Sequence, residues 1–368
     1  MSAAPSVATE TASTTPAEQT LPRANEVVWP FPRMRVRRRA IAVSMLILAA
    51  IALAVVVEVG AGAYVIPIDD VVRVFVGGGT ELQRTTVLDW RMPRALVGLG
   101  VGLALGAAGA VTQSLARNPL ASPDLLGVAM GSSAAAVAVL VFAPAGIVIG
   151  GLTFGVPWAA FAGGIGVAVV VAVLAYRGGI DSMRLVLIGV GVNTFAGSVV
   201  SMLLVQTDLA QAADAVAWLT GSLDNRTWNQ VGPLWITIAV SAIVLAVAAF
   251  DFRVTHLGDS MARGLGVPIT LTLPMLWCSA VLLTAASVAA AGPISFVALA
   301  APQLARLIYR SATPPVIGGA LLGALLMLCA DLAARYVLGG SPVGIVTAAL
   351  GAPFLLYLLI RNNRKVTL

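Results

Sequence analysis

Long apolar segments follow one another along most of this chain and are separated by short polar breaks. A helix needs about 20 apolar residues to cross the hydrocarbon core of a bilayer. The pattern predicts an all-α, polytopic membrane protein whose spans form one domain at residues 33–368. The ten predicted spans are 40–58, 93–116, 124–142, 149–175, 184–205, 232–250, 269–290, 294–309, 315–336 and 343–360.

The amino-terminal segment differs from the rest of the chain. Residues 1–32 are rich in Ala, Thr, Ser, Pro and Glu and have no apolar periodicity, so we predict a disordered cytoplasmic tail. Five arginines between positions 33 and 39 then precede the first apolar span. This polarity is also that of a signal peptide, and cleavage near Ala61–Ala63 is the alternative to a retained first helix.

Small residues recur every fourth position in the second span. Gly98, Gly102 and Gly106 form this row and Ala110 continues it. Such a face lets neighbouring helix backbones approach closely. We therefore expect this helix to pack tightly inside the bundle.

Three hydroxyl–proline pairs predict helix starts. A capping Ser or Thr before a proline at the first helical position favours initiation, because the missing N–H of proline costs nothing there. The pairs are Ser122–Pro123, Thr313–Pro314 and Ser341–Pro342.

The basic residues are distributed unevenly between the two predicted faces. If the amino terminus is cytoplasmic, ten spans return the carboxyl terminus to the same side, and both termini are cytoplasmic. Of 22 Lys and Arg residues, 16 then lie inside, which agrees with the positive-inside tendency and explains a pI near 10.0 without nucleic acid. The six on the outer side are Arg73, Arg84, Arg91, Arg94, Arg226 and Arg335.

Composition excludes several classes of function. The chain is 59% hydrophobic with a mean hydropathy of +0.96, as expected of a helical membrane protein. It contains no GxxxxGK[ST] loop, so ATP use would require a partner, and no catalytic constellation, so we do not predict an enzyme. Cys278 and Cys329 stand alone in apolar spans, which predicts packing residues rather than a disulfide or a metal site.

Ionisable groups inside the spans are few. Asp331 is the one acid that we place within a span, with Arg335 one turn away as a neutralising partner. An intramembrane acid is also what a proton-coupled secondary carrier requires, so that function remains an alternative. We expect the single histidine, His256, to be a solvated bystander in a cytoplasmic loop.

Several separated motifs resemble those of the FecCD-type permeases, the membrane subunits of type II ABC importers for ferric siderophores, vitamin B12 and haem. The resemblance covers residues from about 58 to 361, in the order of the predicted spans. One departure is Gln303, where the family often has histidine, and it puts a protonation role there in doubt. The motifs are RMPR (91–94), RNPLASPDLLGV (117–128), LGDSMARGLGV (257–267), GPISFVALAAPQLAR (292–306) and SPVGIVTAALGAPF (341–354).

The resemblance implies an importer subunit in the cytoplasmic membrane that moves ferric-siderophore complexes, with cobalamin or haem as alternatives. It implies ABC ATPase subunits that carry ATP and Mg²⁺, an extracytoplasmic binding protein and a second permease chain, and no cofactor or metal in this chain. It assigns binding-protein docking to Arg91, Arg94 and Arg335. It assigns ATPase coupling to Leu257, Gly258, Asp259, Ala262, Arg263, Leu265 and Gly266. In the fifth span, Asn193, Thr194, Ser198 and Ser201 are candidates for lining a pathway placed like that of the family, with helix packing as the alternative.

Overall fold

The computed structural model describes residues 26–28, 35–62, 64–150, 152–176 and 182–363, which are almost entirely helical. Within these residues the helices are α1 (Arg38–Gly60), α2 (Ile68–Phe75), α3 (Glu81–Arg84), α4 (Met92–Leu115), α5 (Val128–Phe142), α6 (Val156–Ala175), α7 (Ser182–Val205), α8 (Leu209–Leu219), α9 (Trp228–Val247), α10 (Ala249–Thr255), α11 (Asp259–Gly264), α12 (Ile269–Ala291), α13 (Val297–Tyr309), α14 (Val316–Tyr336) and α15 (Val343–Asn363).

Ten of these helices occupy the ten predicted spans. Among the described residues, seven helical segments are long and apolar enough to cross a membrane, namely α1, α6, α7, α9, α12, α14 and the continuous stretch Glu81–Leu115 that ends in α4. The three other predicted spans contain the shorter apolar helices α5, α13 and Val343–Leu356 of α15. The predicted all-α membrane fold with about ten spanning helices is confirmed.

The starts of three spans differ from the prediction. The fourth predicted span begins at residue 149, but a hairpin of two strands, β3 (Ile147–Ile149) and β4 (Leu152–Phe154), comes first and α6 begins at Val156. The third begins with a 3₁₀ turn, and Gly127, at φ 77°, separates this turn from α5. Gly292, at φ 78°, similarly ends α12 before α13 begins at Val297. Two further strands, β1 and β2, lie nearer the amino terminus.

The hydroxyl–proline pairs do not cap their helices as predicted. The Ser122 side chain makes no capping hydrogen bond to the 3₁₀ turn that follows it. Helix α14 begins after Pro315, which is its N-cap, rather than after Thr313. The Ser341 hydroxyl donates backwards to the carbonyl of Leu338 at 2.8 Å. The prolines therefore mark the boundaries while the hydroxyl caps are absent.

Two compact units divide the chain, Met1–Val43 and Ser44–Leu368. The first contains strands β1 (Glu26–Val28) and β2 (Arg35–Arg37), which pair antiparallel with Val27 opposite Val36. Strand β1 lies in the tail for which the sequence predicts no structure. The rest of that tail, residues 1–25 and 29–32, lies outside the described residues.

Helix α4 lies at the centre of the second unit. It packs against α9, α12, α13 and α14, and most of its residues are buried. A Cβ atom added at Gly102 would lie 2.5 Å from the carbonyl oxygen of Gly323, and one at Gly106 would lie 2.1 Å from that of Gly319. The predicted close packing is confirmed, because α4 and α14 touch backbone to backbone through glycines on both helices.

Candidate functional site

Arg94, one of the predicted docking arginines, is held in an ion-pair network at the Gly60 end of the bundle, where α1 and α14 end and α4 begins. Its Nε and Nη2 atoms donate to the two carboxylate oxygens of Asp331 at 2.9 and 2.7 Å. Its Nη1 atom donates to Asp224, in the loop between α8 and α9. The predicted Asp331–Arg335 pair is therefore wrong, since Asp331 is fully buried and bound to Arg94 instead.

Arg91 is buried rather than displayed. It is the last residue of a π-helical turn, Thr85–Arg91, that leads into α4, and it is 8% exposed. Its Nη1 atom donates to the carbonyls of Val59 and Gly60 at 2.8 and 3.0 Å, and its Nη2 atom donates to that of Tyr64. A cation at the carboxyl end of α1 satisfies carbonyls that the helix leaves unpaired.

A second buried acid lies beside this network. Glu58 is 1% exposed in α1, and both of its carboxylate oxygens are buried with no hydrogen-bond partner among the described residues. The prediction that Asp331 is the one acid within a span is therefore wrong. The sequence analysis did not count Glu58 as an acid within a span, because it is the last residue of the predicted span 40–58.

Arg335 makes fewer contacts than the other two predicted docking arginines. It is half-buried, its guanidinium lies 5.4 Å from the ring centroid of Tyr336, and its Nη1 atom is 3.5 Å from the carbonyl oxygen of Glu58. In the neighbouring loop, burial lowers the pKa of the Arg226 guanidinium, while the charge of Asp224 acts in the opposite direction. Arg91, Arg94 and Arg335 therefore lie at the same end of the bundle, as the order of the predicted spans indicates.

The predicted coupling segment forms a short helix with a left-handed glycine on each side. Gly258 has a φ of 103° and Gly266 a φ of 82°, and α11 lies between them. Ala262 is fully buried against Val254, Val267 and Ile269, and this packing fixes α11 to the start of α12. The remaining predicted member, Arg263, is exposed, and the side chain of Asp259 lies outside what the structure describes.

The surface of this segment is apolar. Leu257, Met261 and Leu265 are 65%, 56% and 59% exposed and recur every fourth position. Of the three, Met261 is absent from the predicted coupling set, although the spacing of four could have identified it. Exposed apolar rows outside a membrane span are typical of a surface that another protein covers.

His256 packs against α10 rather than being solvated, so its predicted role as a solvated bystander is wrong. Its ring lies 5.0 Å from that of Phe252, and its Nδ1 atom is 2.7 Å from the Phe252 carbonyl oxygen. Nearby, the Nη2 atom of Arg117 is 3.5 Å from the carbonyl oxygen of Thr255. The Arg117–Asp124 turn is therefore in contact with the segment that leads into α11.

Gln303 occupies a closed amide network. It is 1% exposed, and its Nε2 atom donates to the side-chain oxygen of Gln113 and to the carbonyl of Pro119. Gln113 in turn donates to the carbonyl of Leu299 at 3.0 Å. The two glutamines join α4, α13 and the turn after α4, which is a packing role that requires no proton transfer.

A cavity of about 830 Å³ lies beside α7. Two of the four predicted pathway residues, Asn193 and Ser201, line it. Thr194 and Ser198 are not among its lining residues, and their hydroxyls donate to the carbonyls of Val190 and Thr194 in their own helix at 3.0 and 3.1 Å. Asn193 and Ser201 therefore face the cavity while Thr194 and Ser198 lie on another face of α7, because positions 193, 197 and 201 share one face of a helix.

One charged residue lines this cavity, and the sequence analysis did not assign it to the pathway. Asp124 lies in the 3₁₀ turn Pro123–Leu126, and burial raises its pKa to about 6. Helix α7 packs against this turn, since a Cβ at Gly127 would lie 3.4 Å from the backbone nitrogen of Asn193. This contact across the bundle brings Asp124 and Asn193 to the same cavity.

The cysteines are not the packing residues that the sequence predicts. Cys278 and Cys329 are both free and exposed on the surface of their helices. In the part of the chain that the structure describes, no group of three or more His, Cys, Asp or Glu side chains could hold a metal ion.

Comparison with known proteins identifies relatives over most of the chain. The sequence model of the FecCD transport family matches residues 46–361. The ferric enterobactin transport system permease protein FepG of Escherichia coli is 38% identical over 82% of this chain and 91% of its own length. The cobalamin import system permease protein BtuC of Halobacterium salinarum is 37% identical over 78% of this chain and 76% of its own length.

A solved structure also shares the fold. The inward-facing structure of a metal-chelate type ABC transporter superposes with a TM-score of 0.75 at 25% identity, covering 87% of this chain and 99% of that one. Together with the family match over residues 46–361, these similarities show that the chain belongs to the FecCD transport family.

Proposed function

We propose that this chain is the permease subunit of an ABC importer that moves ferric-siderophore complexes into the cytoplasm. The observation that carries this proposal is the 38% identity to a ferric enterobactin permease over 82% of the chain. A probable siderophore permease and a ferric hydroxamate permease of Bacillus subtilis, each 35% identical, agree with the substrate class. The cavity of about 830 Å³ beside α7 is the candidate pathway.

Energy for transport comes from partner ATPase subunits that bind ATP and Mg²⁺. The exposed side chains of Leu257, Met261 and Leu265, in and on either side of the short, anchored helix α11, support this role, because a rigid helix outside the membrane can transmit a push from a docked protein. The chain works in the cytoplasmic membrane with both termini inside and pairs with a second permease chain. The Gly60 end then faces outward.

An extracytoplasmic binding protein delivers the chelate at the Gly60 end, and Arg335 is the arginine best placed to meet its acidic groups. Arg94 already has two carboxylate partners, and Arg91 is bound to backbone carbonyls. Their role in docking is to set the shape and charge of the outer ends of α4 and α14. Exposed ion pairs steer encounter more than they hold a complex.

The docking role is tested by charge reversal at Arg335 and at a more exposed control arginine. Arg335→Glu is compared with Arg73→Glu, which removes an exposed arginine that pairs within its own short helix, α2. In proteoliposomes with the ATPase and the binding protein, Arg335→Glu should lower the stimulation of ATP hydrolysis by the loaded binding protein, while Arg73→Glu should not. Equal stimulation in both variants and the wild type would remove Arg335 from the docking surface.

A cobalamin substrate is the second candidate, favoured by the 37% identity to a cobalamin permease. Uptake of radiolabelled ferric siderophores, ferric citrate, haem and cobalamin by the complete assembly separates these substrates. Uptake that continues without the ATPase subunit and collapses with the proton gradient would replace the ABC importer with a secondary carrier. Uptake of cobalamin alone would replace the iron substrate but keep the transporter class.

A further inference from the structure

The cavity beside α7 contains a carboxylate that no other described residue neutralises. Among the described residues, no hydrogen bond or ion pair involves the side chain of Asp124. Burial is the cause of its raised pKa, and no charged neighbour contributes. A carboxylate left in this state on a cavity wall is available to a solute in the cavity.

Few other ionisable residues lie on the elements that pack against Asp124. The 3₁₀ turn packs against α4, α5, α7 and α12. Helix α5 carries no ionisable residue, and the ionisable residues of the other three in the described part of the chain are Arg94 at the far end of α4, Arg184 in the first turn of α7 and Cys278 in α12. None of these three contributes to the charge balance of Asp124.

The other polar groups of the cavity differ in their hydrogen bonding. The hydroxyls of Ser133, Ser201 and Thr220 donate to carbonyls of their own helices, so their donor capacity is used. The Asn193 amide has no such bond within the described residues. The exposed hydroxyl of Ser295 also has no hydrogen bond among the described residues. Among the unbonded polar groups of the lining, Asp124 is therefore the one charged group and Asn193 the one amide.

We propose that Asp124 and Asn193 form a polar subsite on the transport pathway that discriminates between metal chelates by their charge. The subsite favours chelates that carry a cationic amine or several N–H and O–H donors, and it retards chelates with a net negative charge. Fixed charges that line a pore select permeant species in this way, and their effect grows where water is partly excluded. This inference rests on the proposed import of chelates and names the residues that sort them.

The experiment uses three ferric trihydroxamates of one scaffold, which bear a free amine, an N-acetyl group or an N-succinyl group. Their charges at this group are positive, neutral and negative, while the iron coordination is the same. Uptake is measured in proteoliposomes with the complete assembly and one binding protein, and the amine-to-succinyl uptake ratio is compared between the wild type and each variant. A preference of the binding protein cancels in this comparison.

Asp124→Asn should lower the amine-to-succinyl ratio by about threefold to tenfold, the effect of one charge a few ångströms away in a partly hydrated site. Asp124→Glu keeps the charge and should keep the ratio. Asp89→Asn, which removes an exposed carboxylate near the start of α4, is the matched control and should also keep it.

The outcomes separate this inference from the proposed function. If the wild type moves the chelates but Asp124→Asn leaves the ratio unchanged, the charge subsite is wrong and the importer stands. If the wild type moves none of the three chelates with any binding protein, the proposed import of siderophores fails and the subsite with it. If Asp124→Asn does not fold, the Asp124→Glu and Asp124→Gln pair provides the same comparison of charge.

Discussion

Arg94 and Asp331 lie 237 positions apart and meet through two parallel hydrogen bonds, from Nε at 2.9 Å and from Nη2 at 2.7 Å. The pair joins the start of α4 to the end of α14 at the Gly60 end. Because the Asp331 side chain is fully buried, its charge depends on Arg94 for compensation.

Removing the carboxylate of this pair should destabilise the protein. Asp331→Ala leaves the largely buried guanidinium of Arg94 with one carboxylate partner, Asp224, and we expect a loss of about 3 kcal/mol. The measurement is the free energy of unfolding in detergent micelles. Asp69→Ala, which removes an exposed carboxylate 4.0 Å from Arg73, should cost under about 1 kcal/mol. Equal losses would contradict a structural role for the pair.

The backbone contact between α4 and α14 makes a second prediction. A methyl group at Gly106 would lie 2.1 Å from the carbonyl oxygen of Gly319, and neither helix can yield without separating. Gly106→Ala should therefore reduce the yield of folded protein severalfold, as seen by size-exclusion chromatography. Gly197→Ala is the control, because no atom lies within 4 Å of its added methyl group. Normal yield of both variants would show that the helices can separate freely.

The apolar row on the coupling segment should hold the ATPase. Met261→Asp places a charge in the middle of the row, and burying it against a partner without a counter-ion is costly. We expect co-purification of the ATPase subunit to fall at least tenfold. Ser260→Asp introduces the same charge at an exposed neighbouring position, and it should reduce co-purification of the ATPase less than Met261→Asp does. An unchanged complex with Met261→Asp would place the ATPase contact elsewhere.

Glu58 should tolerate loss of its carboxylate. Both of its oxygens are buried without a hydrogen-bond partner in the described structure, so a charge at this site keeps a desolvation cost that no hydrogen bond offsets. Glu58→Gln keeps the shape and removes the ionisable group, and we expect unchanged or higher thermal stability. Asp331→Asn, at the paired acid, is the comparison and should lower the melting temperature. A large loss of thermal stability with Glu58→Gln would mean that the charge of Glu58 stabilises the fold.

The charge subsite predicts a pH dependence. Burial raises the pKa of Asp124 to about 6, so its carboxylate is charged above this pH and neutral below it. The preference for the amine chelate over its N-acetyl form should be full at pH 7.5 and should fade as the pH falls through 6. The amine itself stays protonated throughout. Uptake ratios at pH 7.5 and 5.0 measure the effect, and Asp124→Asn should show none.

Local patterns predicted much of the fold and part of the site. Apolar length identified ten helices, and glycines four apart identified the face of α4 that meets α14. Spacing along a helix predicted the wrong ion pair, because Asp331 is four residues from Arg335 but binds the distant Arg94. Polar residues of α7 could not be sorted into cavity and surface, because only the packing of α5, α8 and α15 defines which face borders the cavity.

By itself the sequence determined the class of the protein and the order of its apolar spans, and it predicted the position of the coupling segment, since apolar length, glycine spacing and short loop motifs act over a few neighbouring residues. Only the tertiary structure decided that Arg91 is buried, that Glu58 is an unpaired acid and that Asp124 opens on a cavity with Asn193. The physical reason is that burial, ion pairing and cavity walls depend on which distant helices pack together, and helix packing depends on the whole bundle.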